Sequence, residues 1–102
     1  MKKEGKNMSD TRELYVEKMK AKLDEWNAEI DKLEAKSRQK EADAREAYEK
    51  QIESIKEKRQ ATKENLENMR QAGENAWEDL KAGVEKAAAS LGEAIRSAQS
   101  RF

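Results

Sequence analysis

Apolar residues recur along this chain at helical spacing. Val16, Met19, Leu23, Trp26, Ile30 and Leu33 step by 3, 4, 3, 4 and 3, which is a heptad seam of two and a half repeats. The next positions in phase are Ser37 and Lys40, and residues 34–47 contain nothing apolar larger than alanine, so the helix there is expected to be solvated or lightly packed. The pattern resumes at Tyr48, Ile52, Ile55, Thr62 and Leu66, with Arg59 filling an in-phase position.

From Leu66 onward the spacing changes. Leu66, Met69, Gly73, Trp77, Leu80, Val84, Ala88, Leu91 and Ile95 step by 3, 4, 4, 3, 4, 4, 3 and 4, and Phe102 follows seven residues later. Such an eleven-residue repeat keeps one stripe on one face of a nearly straight helix. Leu33, Ala44, Ile55, Leu66, Trp77 and Ala88 are also eleven apart and thread the two regimes together. The change of period implies a change of supercoil, from left-handed near the start to straight or slightly right-handed near the end.

Start and stop signals are few. Residues 1–9 carry no apolar pattern and read as a disordered tail, with Met8 a possible alternative start. Asp10 with Glu13 has capping-box spacing, so helix is expected from residue 10 or 11, and residues 10–102 form one long-helix domain. Proline is absent, and Gly73, with Asn75 as a possible cap and Glu78 three residues on, is the one credible turn. The fold class is therefore all-α and elongated. It is either one near-continuous coiled-coil helix, on the order of 135 Å long at ~1.5 Å per residue, or a helical hairpin turning near Gly73. Because Gly73 falls in phase with the stripe, the continuous helix is the expectation.

Composition points the same way. Hydrophobic residues make up 35% of the 102 and charged residues 43%, too thin an apolar supply for an ordinary globule. Self-association, as a homo-oligomeric dimer or small bundle, would complete a core for such a helix. The interface residues would be Val16, Met19, Leu23, Trp26, Ile30, Leu33, Leu66, Met69, Trp77, Leu80, Val84, Leu91, Ile95 and Phe102. The 22 basic and 22 acidic residues cancel overall, and each half cancels separately, so no long-range field draws the chain to nucleic acid or an anionic membrane. Glu34 with Arg38, Glu41 with Arg45 and Glu46 with Lys50 are Glu-first pairs four apart, which support helix over disorder.

Chemistry is constrained mainly by missing side chains. Without cysteine there is no disulfide or thiol chemistry, which fits a reducing compartment. Without histidine as well, zinc and di-iron ligand sets lack their usual donors. Carboxylates are numerous, but a catalytic pair needs a desolvated cleft, and an amphipathic helix offers none. No phosphate-binding loop or nucleophile motif occurs, so no catalytic residue, cofactor, metal or small-molecule substrate is expected. Trp26, Trp77, Tyr15 and Tyr48 read as seam residues. In KAGVEKAAASLGEA, Gly83 with Ala87 and Ala88 with Gly92 are small residues four apart that would let another helix approach. A straight stripe would also suit a membrane or storage-granule surface, bound through residues 76–102.

The block YVEKMKAKLDEWNAEIDKLEAK at residues 15–36, with AWEDLKAGVEKA at 76–87 and the ending SRF, resembles the small bacterial coiled-coil proteins of the stress-response type. That resemblance implies a cytoplasmic, non-enzymatic helical protein linked to stress, with no catalytic residues to carry over. Relatives of that type often have a second large aromatic where this chain has alanine at residues 87–89, a departure that would loosen packing there. The functional expectation is a stress-associated scaffold or interaction protein acting through amphipathic helix faces.

Overall fold

The structure, a computed structural model, describes residues 8–73 and 75–101. Three helices follow one another: α1 (Met8–Arg38), α2 (Ala42–Gln71) and α3 (Trp77–Arg101). They run up, down and up. Arg59 on α2 donates to Asn27 on α1 at 2.9 Å, and Lys56 pairs with Glu34, so α1 and α2 are antiparallel. Gln99 on α3 donates to Glu29 on α1 at 2.7 Å, and the Lys81 ammonium lies 5.0 Å from the Tyr15 ring, so α1 and α3 run parallel with residues about 66 to 70 apart side by side.

The chain is all-α and elongated, measuring 60 × 23 × 18 Å along its principal axes. It is not one continuous helix, however, because it folds back twice. The turn near Gly73, the alternative to a continuous helix, is present. The Gly73 carbonyl accepts from the backbone N–H of Ala76 and Trp77 at 3.1 and 3.2 Å, closing the first turn of α3. No glycine among the described residues has positive φ, so this turn does not depend on the conformational freedom of Gly73.

The other turn, at residues 39–41, has no glycine, proline or asparagine to announce it. Gln39 and Lys40 donate back to Lys36 and Ser37 at 3.1 Å each, tightening the end of α1, and extended backbone at Glu41 (φ −66°, ψ 162°) redirects the chain. The stretch expected to be a lightly packed helix is thus where the helix ends. With no large apolar side chain to bury, continuing the helix would gain nothing that folding α2 back on α1 does not exceed.

Helix α1 begins at Met8, so Met8 and Ser9 belong to it and Asp10 lies within it instead of capping it. Residues 1–7, the rest of the expected tail, and the side chain of Asp10 lie outside the described residues. At the same end of the bundle the Arg12 guanidinium donates to the Ala72 carbonyl, placing a cation at the C-terminal end of α2. Tyr48 donates to the Arg101 carbonyl at 3.4 Å near the opposite end, so α3 is tied off by a side chain of α2.

The buried positions follow heptads in all three helices. In α1 they are Val16, Leu23, Ile30, Leu33 and Ser37; in α2 Ile52, Ile55, Thr62, Leu66 and Met69; in α3 Trp77, Val84, Ala88, Leu91, Ile95 and Ala98. The expected passage from heptads to a straight eleven-residue stripe is therefore corrected. That stripe runs through a turn, and at Gly73 and Leu80 it leaves the core, Leu80 being 40% exposed. The turn resets the phase, after which Val84, Ala88, Leu91, Ile95 and Ala98 step by 4, 3, 4 and 3, the spacing of a left-handed supercoil.

Candidate functional site

Packing around the bundle is uneven. Helix α2 packs closely along α3 and along α1, whereas α1 and α3 touch sparsely. The local cause is side-chain volume. The face of α3 turned toward α1 carries Ala88, Ala89 and Gly92, which cannot fill the angle between two parallel helices, while α1 offers Met19 and Trp26, both half-buried. An open trough of about 610 Å³ remains, within the ~300–1,000 Å³ typical of ligand clefts. A second hollow of about 410 Å³, which shares Trp26, Gly92 and Arg96 with the first, extends it toward Glu29 and Gln99.

Trp26 is the centre of this trough. A methyl group on Gly92 would stand 3.1 Å from its Cζ2 atom, so the indole lies directly on the backbone of α3. The ammonium of Lys22 sits 5.6 Å from the ring centroid, within cation–π range. Lys18, Lys22 and Arg96 line the rim together with Glu93, and Arg96 already pairs with Glu93 at 3.0 Å. The trough therefore has an apolar floor and two cations on its α1 edge that form no ion pair among the described residues.

Tyr15 closes one end. Its ring lies under Lys81, and its hydroxyl is buried near Glu85 with no hydrogen bond of full geometry among the described residues. Burial and, after it, the nearby Glu85 carboxylate raise the phenol from 10.0 to about 12, so it stays neutral through the physiological range. Among the described residues no group of three or more Cys, Asp or Glu side chains is arranged to hold a metal ion, and no helix is long and apolar enough to cross a membrane.

The expected interface residues divide by location. Val16, Leu23, Ile30, Leu33, Leu66, Met69, Trp77, Val84, Leu91 and Ile95 are all buried in the core of this one chain. Met19 and Trp26 pack against that core and line the trough, Leu80 is exposed on α3, and Phe102 lies outside the described residues. Small-residue spacing carried a correct signal in part. Ala88 and Gly92 are buried, and Gly92 does admit a close neighbour, but that neighbour is the Trp26 side chain, while at the exposed Gly83 an added Cβ would meet nothing within 4 Å. The role of Tyr15 had no distinct signal, since its position beside Val16 gave it only a seam assignment.

The chain matches no protein-family model, no curated protein and no solved structure.

Proposed function

We propose that this protein is a non-enzymatic helical interaction module, cytoplasmic and stress-associated as its sequence resemblance implies, which binds through the trough between α1 and α3. One observation carries the reading. Among the described residues the heptad seams are filled within a single chain, and a sizeable apolar concavity is left where Ala88, Ala89 and Gly92 face Trp26. An interaction protein needs such a surface, apolar at its centre and polar at its rim.

Self-association takes a different form in this reading. Ile30, Ile55, Val84 and Leu91 are fully covered by neighbouring helices, so a second copy would meet the trough, or the exposed Leu14 and Leu80, before it met the seam. Binding to a membrane or granule through residues 76–102 has less support, because α3 would have to leave the bundle and expose Trp77, Val84, Leu91 and Ile95.

Sedimentation equilibrium with circular dichroism on the same samples tests the reading. A core complete in one chain keeps its helicity on dilution through any change of mass. Helicity that falls with dilution, in step with dissociation, would mean that the seams are filled by another copy, and the trough would lose its standing as the leftover surface.

A further inference from the structure

The chain as a whole balances its charges, but the α1 edge of the trough presents two cations. At the trough Lys18 and Lys22 stand one helical turn apart, a like-charged pair that weakens an isolated helix slightly. Lys22 rests on the Trp26 ring, and neither lysine has a carboxylate partner among the described residues. Beyond Trp26 the adjoining hollow is mixed in sign, lined by Glu25, Glu29 and Arg96, and Glu29 there already has Lys32 and Gln99 as partners.

Resting on the reading of this trough as a binding surface, we infer that it binds a single-headed anionic amphiphile of the fatty-acid class. The carboxylate lies on Lys18 and Lys22, and the alkyl chain lies on Met19, Trp26 and the small residues of α3. Two features select this occupant. The apolar floor accepts an alkyl chain without hydrogen-bonding demands, and Met19 and Trp26 lie within about two helical turns of both lysines. Lys18 and Lys22, neither with a carboxylate partner among the described residues, stand where both can meet one anion. The molecule held there is a ligand and undergoes no reaction.

Titration of the full chain with decanoate, decyltrimethylammonium and 1-decanol, each below its aggregation limit, tests the assignment through tryptophan emission. Decanoate should give a saturable blue shift that disappears in Trp26→Phe, where Trp77 remains. The cationic probe should bind at least about tenfold more weakly, and hexanoate, four methylenes shorter, should weaken by about one to two orders of magnitude. In the Lys18→Gln/Lys22→Gln variant, whose changes are both at exposed positions and whose fold circular dichroism would verify, decanoate should weaken roughly tenfold while 1-decanol is unaffected. Equal binding of the anionic and cationic probes, or unchanged decanoate binding in the double variant, would overturn the anion assignment and leave an apolar docking trough. If none of the three probes moved Trp26 emission, the docking surface itself would fall.

Discussion

Trp26 of α1 rests on Gly92 of α3, so closely that a Cβ at residue 92 would stand 3.1 Å from the indole Cζ2. At Gly83, by contrast, an added Cβ meets nothing within 4 Å. Both glycines lie inside α3, where alanine is favoured by about 1 kcal/mol on helix propensity alone. Gly83→Ala should therefore raise stability by about 0.5–1 kcal/mol. Gly92→Ala should gain less, because the indole must be displaced into the open trough, and its fluorescence should shift to the red. Thermal melts and emission spectra of the pair check this. Equal gains with unchanged emission would show that Trp26 does not press on α3.

Ile55 and Leu80 both sit on the apolar pattern of the chain, yet only Ile55 is fully buried, while Leu80 is 40% exposed. Truncating Ile55 to alanine should cost about 2–5 kcal/mol, a large share of the roughly 5–15 kcal/mol that holds a small domain together. Leu80→Ala should cost less than about 1 kcal/mol. Urea denaturation of the two variants separates a one-chain core from a stripe used equally along its length, which would make the two losses similar.

Ser37 continues the heptad of α1 and is 2% exposed, but its hydroxyl has no hydrogen-bond partner among the described residues. A buried hydroxyl without a partner costs on the order of 1 kcal/mol or more, and serine is also a poorer helix former than alanine. Ser37→Ala should stabilise the bundle by about 1 kcal/mol in a denaturant titration. A loss of stability would mean that the hydroxyl is bonded, to water or to the backbone of α1.

Tyr15 couples the trough to alkaline pH. Burial, followed by the Glu85 carboxylate, raises its phenol from 10.0 to about 12. Between those values the unfolded chain gives up a proton that the folded chain keeps. The contribution of this group is thus fully present below about pH 10 and is lost as pH rises toward 12. In a Tyr48→Phe background, phenolate absorbance reports Tyr15 alone and should titrate late. Tyr15→Phe should flatten the alkaline loss of stability, and titration of Tyr15 at an ordinary pH would refute the environment described for it.

Much of the core was legible from spacing. Val16, Leu23, Ile30 and Leu33 step by 7, 7 and 3, and only one face of a helix can gather such positions, so their burial follows from local geometry. Thr62 could be placed for the same reason, because position counts for more than polarity when the hydroxyl can bond its own helix, as it does to the Lys58 carbonyl at 2.8 Å. The site was less legible. Ala88, Ala89 and Gly92 announced a close approach, but a run of small residues does not say what approaches.

By itself, then, the sequence determined helix, the buried faces of α1 and α2 and the balance of charge, and it marked Gly73 as the one credible place for a turn without requiring one, all of which depend on residues within a few turns of one another. Tertiary structure decided the fold-back at residues 39–41, the phase of α3 and the trough beside Trp26. Val84, Ala88, Leu91 and Ile95 fit a seven-residue and an eleven-residue repeat almost equally over so short a span, and only the direction in which α3 leaves its turn chooses between them. The trough arises from the same kind of long-range fact, since residues 66 positions apart have to lie side by side before a shortage of side-chain volume between α1 and α3 can become a surface.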